Sequence, residues 1–437
     1  TIIYTSGTTG DPKGVLLTHR NVMINAEYGA NQLGMPLENM TTLAFLPLSH
    51  VFERTGGYYV TLLSGNHIAF AENVTSVLEN MAEIRPTSMI SVPRLFEKIY
   101  SRIYENVHQA TPLRKTLFHR AVEVGREYVN RKYMTGKPLG TLNLKYRFFD
   151  RLVFKKIRDR FGGRLTYFLC GGAPLDKRVN EFMWIIGLPV FNAYGLTETS
   201  PGVTISSVGA VRFDSVGKAF PETELKLADD GELLVKGPQV MKGYFKNDDA
   251  TQESIEDGWF KTGDIASIDD EGFVYIVDRK KELIVTAGGK NIAPQPIENE
   301  LKLDKYISQA IVFGDRKPYL VAILTPNIER IINLAREERI PYIDIEELVS
   351  HTRIKEVFAK RIAALNANYP SYKTIKYFSI VPREFSIEEG ELTPTLKMKR
   401  KIIYQKYRAI VDDLYQSNGN GMTGGDKQKM EKHHEAN

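Results

Sequence analysis

The sequence predicts a large α/β domain of parallel sheets layered with helices and carrying a β-rich module, followed by a small α+β domain. Three observations predict it. At about 150 residues per domain, a chain of 437 residues holds two or three domains, and a 42% hydrophobic content can give each a core. Through the first half, short β-rich runs alternate with helical patterns, which is the texture of parallel α/β layering. From Phe213 to Val277 the texture changes to short strands and tight turns, and past Asp278 strands and helices resume at a smaller scale.

Taken in order, Thr1 to Thr5, Leu43 to Leu48, His67 to Ala71, Thr87 to Val92, Leu165 to Leu169 and Pro189 to Ala193 read as buried strands. Thr18 reads as the N-cap of a helix that keeps Val22, Ala26, Ala30 and Leu33 on one face. Arg94 to Phe161 is helix-rich and studded with Arg and Lys, a pattern that reads as a solvated helical face. The β-rich module, about 213–277, is punctuated by Gly217, Asp229-Asp230-Gly231 and Asp270-Glu271-Gly272, and completes a large domain of residues 1–277. Strands at Ala310 to Phe313, Leu320 to Thr325 and Tyr377 to Val381 fill the small domain, 278–415, with helices at Ile328 to Arg339 and Ile354 to Asn366 and a closing helix. The tail, 416–437, has no apolar period and is expected to be disordered. The chain opens without Met or a signal peptide on a strand already running into a loop, which reads as a truncated record.

Composition excludes several functions. Lys and Arg number 58 against 53 Asp and Glu, a net charge of +5, and no nucleic-acid motif accompanies it. The single cysteine, Cys170, excludes an intrachain disulfide and a Cys-rich metal cluster, and favours a reducing, cytoplasmic setting. Cys170 itself, ending an apolar strand, reads as a small buried hydrophobe. The longest apolar runs, such as Leu43 to Phe52, fall short of the ~20 residues that span a bilayer, which leaves peripheral membrane contact open.

Chemistry concentrates first in YTSGTTGDPKG, Tyr4 to Gly14. Small residues let backbone approach an anion, hydroxyls add donors, and Lys13 supplies a point charge, so this loop is built to hold phosphates. The spacing is not that of a P-loop, because Lys13 is followed by Gly14 rather than Ser or Thr. Further on stand FLPLSHVFER (Phe45 to Arg54), GGAPL (Gly171 to Leu175), NAYGLTETS (Asn192 to Ser200), KTGD (Lys261 to Asp264), the stretch Asp278 to Lys290, and ELTPTLKMKRK (Glu391 to Lys401). In this order, and covering the chain to about Tyr415, they resemble the motifs of the adenylate-forming (AMP-binding) superfamily, in its long-chain fatty acyl-CoA synthetase branch. Members normally carry a further N-terminal portion before the phosphate loop.

The resemblance implies roles. Thr5, Ser6, Gly7, Thr8, Thr9, Gly10 and Lys13 would hold the β- and γ-phosphates of ATP, and Glu198 a Mg²⁺, helped by Thr5 or Thr197. Gly172, Ala173, Asn192, Tyr194 and Gly195 would surround adenine; Asp264, read as following Gly263 in a β-turn, would accept from the ribose hydroxyls, with Arg279 reaching ribose or phosphate. Asp278 would be the pivot of a mobile C-terminal domain, and Gly288 and Gly289 would border the path of coenzyme A. Lys397 would be the adenylation lysine, although many members have Ser-Gly-Lys where this chain has Thr395-Leu396-Lys397. Lys399 is the alternative for that role; otherwise Lys399, Arg400 and Lys401 read as a solvated basic helix start. His50 lines the acyl segment and reads almost as well as a structural histidine; Glu53 carries less weight. The activity implied is activation of a long-chain fatty acid with ATP to acyl-AMP and transfer to coenzyme A. An acyl-AMP ligase serving a carrier-protein thiol and a non-catalytic binding fragment are the alternatives. The sequence indicates no nucleic-acid partner and leaves the oligomeric state open.

Overall fold

The computed structural model describes residues 1–5, 12–34, 38–393, 396–416 and 422–423. Two compact units divide the chain, Thr1–Ile276 and Val277–Asn437, so that Asp278 is the second residue of the second unit.

In the first unit, β1 (Ile2–Tyr4) and β2 (Gly14–Leu16) form an antiparallel hairpin. The expectation that Thr1 to Thr5 joins the parallel layer is thereby corrected. Gly14-Val15-Leu16 is a second strand, and it brings the chain straight back beside β1 before any helix starts. Helix α1 (His19–Gln32) follows, capped by Thr18, whose hydroxyl accepts the Asn21 amide, and it buries Val22 and Ala26. Strands β3 (Thr41–Ala44), β4 (His67–Phe70), β5 (Ser88–Ser91), β6 (Tyr167–Cys170) and β7 (Val190–Gly195) lie parallel, and β8 (Gly202–Ile205) and β9 (Lys218–Ala219) extend the same sheet antiparallel. The spatial order is β4-β3-β5-β6-β7-β8-β9. Near-continuous burial along β3, β5 and β6 is what parallel strands covered on both faces require. The expected strand Leu43 to Leu48 stops at Ala44, since Pro47 cannot donate to a ladder; Leu46 turns inward to pack with Phe52, Ile90 and Val92.

The β-rich module holds β10 (Glu224–Leu227), β11 (Glu232–Lys236), β12 (Gly243–Tyr244), β13 (Ile255–Glu256), β14 (Trp259–Ile268) and β15 (Val274–Arg279). β12 leaves it to pair with β2; the others form one sheet in the order β10-β11-β14-β13, with β15 also on β14.

In the second unit, β16 (Ile284–Val285) and β17 (Asn291–Ile292) form a hairpin, and β18 (Ile307–Phe313), β19 (Leu320–Pro326), β20 (Ile375–Ile380) and β21 (Met422–Thr423) form a sheet in that order. β19 alternates: Leu320, Ala322 and Leu324 join one apolar core, Val321 and Ile323 the other, so the sheet is covered on both faces. Helices Pro294–Leu301 and Ile345–Ser350 have no counterpart in the sequence expectation. The tail expected to be unstructured carries β21, which takes up the outer edge of β20 that would otherwise present unpaired backbone groups.

Candidate active site

The glycine-threonine loop connects β1 to β2, and its neck is closed on both sides. The Thr5 amide donates to the Lys13 carbonyl at 2.9 Å, and the Lys13 amide reaches the Thr5 hydroxyl at 3.4 Å. Ser6, Gly7, Thr8, Thr9 and Gly10 lie outside the described residues. The β2–β12 register sets Tyr244 opposite Val15 and so beside Lys13, whose Nζ lies 4.9 Å from the centre of the phenol ring. The same phenol donates to Glu198 Oε1 at 2.9 Å. Tyr244 thus links the expected phosphate lysine to the expected metal carboxylate, although nothing in its sequence context singled it out. Strand register alone brings it there.

For a divalent cation the site offers one carboxylate rather than a cage. Among the described residues no group of three His, Cys, Asp or Glu could hold a metal ion. Glu198 fits Mg²⁺ nonetheless, because that ion keeps much of its water and takes phosphate oxygens beside one or two carboxylates. The half-buried Thr197 precedes Glu198 in a single 3₁₀ turn that follows β7.

Four residues before Glu198, the Tyr194 hydroxyl donates to Asp264 Oδ2 at 2.6 Å. Asp264 is 3% exposed, and its amide donates to the Thr262 hydroxyl at 3.1 Å. KTGD, read from sequence as a turn, lies wholly inside β14. The β11–β14 register shifts between Glu232 and Leu234; Gly263 opposite takes φ +72°, and its amide donates to Glu232 Oε1 at 2.9 Å. A bulge re-aims the aspartate where a turn was expected.

Asn192 is 7% exposed, and its amide donates to the Ser215 carbonyl at 3.0 Å and the Phe213 carbonyl at 3.5 Å. Its side-chain donors are thus engaged within the fold. Gly172 and Ala173 form the turn after β6, and Gly195 ends β7. Gly171, just before them, is held by contact: a Cβ there would stand 2.9 Å from the Phe52 ring and 3.2 Å from the Ala193 carbonyl. The acyl segment, the GGAPL turn and β7 meet at that point.

Below it lies an apolar pocket with about 770 Å³ of empty space, part of it open solvent, lined by Phe52, Gly56, Val60, Ile90, Leu169, Ala193 and others. His50 Nδ1 accepts the Phe52 amide at 3.2 Å, which leaves the proton of a neutral ring on Nε2 and gives His50 a structural task at the start of this segment. Glu53 opens a π-helix, Glu53–Tyr59, and is wholly buried. Among the described residues its Oε2 accepts only the Leu46 amide, at 3.3 Å, and its Oε1 has no partner. Burial pushes this carboxyl up to about 8, so it is protonated at neutral pH. Glu53, which carried little weight in the sequence, is thus an acidic residue type that sits neutral inside the segment. Cys170 is buried and free, and burial raises its thiol far above the usual range.

In the second unit, Asp278 is 1% exposed; Oδ1 accepts the Arg279 amide at 2.7 Å and Oδ2 the Gln295 amide at 3.1 Å, at the start of helix Pro294–Leu301. Burial raises this carboxyl to about 6. Arg279 is exposed at the end of β15, and Gly288 and Gly289 form the tip of the β16–β17 hairpin. Lys397 sits on a tight loop closed by the Leu392–Met398 bridge; its amide donates to the Thr393 hydroxyl at 3.1 Å and its carbonyl accepts from Thr393 at 2.8 Å. Two ion pairs flank the loop. Arg383 forks onto the buried Glu391 at 2.7 and 2.8 Å, and Arg400 Nη2 donates to both oxygens of the buried Glu298 at 2.7 and 2.9 Å. Arg400 therefore does not belong to a solvated basic start, as its neighbours suggested; the acid that claims it comes from a distant helix.

Residues 1–245 match the family described as AMP-binding enzyme, and residues 281–419 its C-terminal domain. The long-chain-fatty-acid–CoA ligase FadD15 of Mycobacterium bovis is 38% identical over 418 residues, which cover 95% of this chain and 69% of that protein. The peroxisomal long chain acyl-CoA synthetase 6 of Arabidopsis thaliana is 33% identical over 439 residues, 96% of this chain and 61% of the relative. Among solved structures, the adenylation domain of a Mycobacterium chelonae carboxylate reductase shares the fold at a TM-score of 0.70 and 21% identity, covering 95% of this chain and 60% of that one. O-succinylbenzoate CoA synthetase of Bacillus subtilis, solved with ATP and magnesium, shares it at 0.61 and 24%, covering 92% and 69%.

Proposed function

Because the chain belongs to the AMP-binding enzyme family, in the branch of the long-chain fatty acyl-CoA synthetases, we propose that it activates a fatty acid with ATP and passes the acyl group to coenzyme A. The observation that carries the reading is the division of labour on one strand. On β7, Ala193 lines the apolar pocket while Tyr194, pointing to the opposite face, bonds to Asp264. An acyl chain and a nucleotide are thereby held against adjacent residues.

Attack of a carboxylate on the α-phosphorus brings anion toward anion, so the residues must neutralise charge and align the attacking and leaving oxygens. The carboxylate oxygen bonds to the α-phosphorus as pyrophosphate leaves; the thiolate of coenzyme A then bonds to the acyl carbon and AMP leaves. Lys13 and the loop hydroxyls hold the phosphates that depart, Asp264 accepts from the ribose hydroxyls, and Tyr194 offers its ring to adenine. Glu198 would hold a Mg²⁺, which would supply charge neutralisation of the phosphate oxygens. Lys397 stabilises the first transition state, and Asp278 is the pivot between the two half-reactions.

The test is pyrophosphate release across fatty acids of graded length, with and without coenzyme A. Acid-dependent release followed by thioester only when coenzyme A is present is expected; release that ignores the acid, or an acyl-AMP that never meets free coenzyme A, overturns the reading. Lys397→Ala should abolish acyl-AMP formation yet largely spare thioester formation from supplied acyl-AMP. Equal loss of both half-reactions would remove Lys397 from its role.

A further inference from the structure

The cation-rich stretch between β5 and β6 is not used by the reaction, and it carries a surface of its own. Helix Thr141–Phe149 runs through a π turn, Asp150–Phe154, into helix Lys155–Asp159. Its inner side is anchored. Leu142 and Phe154 are buried, the Tyr146 ring stacks on Tyr128 of helix Pro112–Val129 with centroids 3.9 Å apart, and the Tyr146 hydroxyl donates to the Ile185 carbonyl at 3.1 Å.

The outer side departs from a solvated face. Leu144, Phe148 and Leu152 stand 67%, 59% and 38% exposed, at spacings that put them on one side of the helix. A polar helix face would not hold three large apolar residues in a row against water. Around that ridge lie Lys145, Arg147, Arg151 and Lys156, all exposed and without an ion pair among the described residues. The only two acids between Thr141 and Arg160 are already engaged: Asp150 takes Arg158 at 2.5 and 2.9 Å, and Asp159 takes Lys155 at 2.9 Å. Seven cations against those two acids give this stretch a charge of +5, equal to that of the whole chain, so the remainder is neutral on balance.

The geometry points to a docking surface for an anionic lipid bilayer, with Leu144, Phe148 and Leu152 entering the headgroup–acyl boundary and the surrounding cations meeting lipid phosphates. An apolar ridge inside a cationic rim is what an interfacial helix presents. A nucleic acid would match the cations and leave the ridge in water or against phosphates. The surface is independent of catalysis, so its test needs no substrate.

Co-sedimentation of the full chain with phosphatidylcholine vesicles, with and without phosphatidylglycerol, reads it directly. Binding should require the anionic lipid and weaken as salt rises. Lys145→Glu, Arg151→Glu and Lys156→Glu together should lower the partition coefficient on the order of a hundredfold, at roughly one kcal/mol for each cation near an anionic surface. Leu144→Ser with Phe148→Ser should lower it about tenfold or more. An unchanged melting temperature would show that each variant is folded, and the single Lys156→Glu variant serves if the triple does not fold. Equal binding to both kinds of vesicle, or no loss in the variants, overturns the proposal. So does a lipid-free dimer that dissolves when Leu144 and Phe148 are replaced, or tighter binding to duplex DNA than to anionic vesicles.

Discussion

Strand β14, proposed to face the nucleotide, and the π-helix beside the apolar pocket, proposed to hold the acyl chain, both bury a carboxylic acid, and they surround it differently. Asp264 is 3% exposed and receives the Tyr194 hydroxyl at 2.6 Å. Glu53, 0% exposed, has among the described residues one amide at 3.3 Å and an oxygen with no partner, and it is protonated at neutral pH. A buried carboxyl keeps its charge only where donors replace water. Asp264 therefore has a hydroxyl donor on its carboxyl, while Glu53, with one amide, remains uncharged although the residue type is acidic.

Four substitutions break or sharpen that contrast. The largest effect belongs to Glu53. Its raised value means that stability is fully present below about pH 4.5 and is lost as pH climbs through about 8, because the unfolded chain releases the proton first. Glu53→Gln, which is neutral at every pH, should flatten that decline and raise the melting temperature near pH 9 relative to the parent; the difference should be on the order of 3 kcal/mol. Matching pH profiles in parent and variant would mean that Glu53 ionises freely. Asp264→Ala should raise the KM for ATP about ten- to a hundredfold, at about 1–3 kcal/mol for a lost buried hydrogen-bond partner, with the KM for fatty acid unmoved. A shift in both constants would merge the two sites into one. Gly171→Ala pushes a methyl against the Phe52 ring and should cost about 1–3 kcal/mol in thermal unfolding while raising the KM for the acid alone. Tyr194→Phe removes one donor and keeps the ring; roughly a threefold to tenfold rise in the KM for ATP is expected, with no change in acid dependence.

Legibility followed the range of the forces. Thr18 as N-cap, the parallel strands of the first half, the β-rich texture after Phe213 and the small-domain strands β18, β19 and β20 could all be read, because capping and apolar periodicity act within a few residues. The KTGD bulge could not, since it depends on how β11 registers with β14. Tyr244 and Arg400 were missed for a related reason: each is defined by a partner far along the chain, Glu198 and Lys13 for the first and Glu298 for the second. The helical cations were legible as residues, but not the exposed ridge of Leu144, Phe148 and Leu152 between them, because amphipathic spacing does not say which side a helix turns to the core.

By itself the sequence determined which chemical groups are present, in what order, and which local elements carry them. It supplied the phosphate loop with Lys13, the acid at 198, the Tyr194–Asp264 vocabulary and the apolar runs that become strands. Tertiary structure alone decided that Glu53 is neutral and which of those groups meet. Protonation and pairing depend on the water removed and the donors brought in by other segments, and neither quantity exists until the strands have registered.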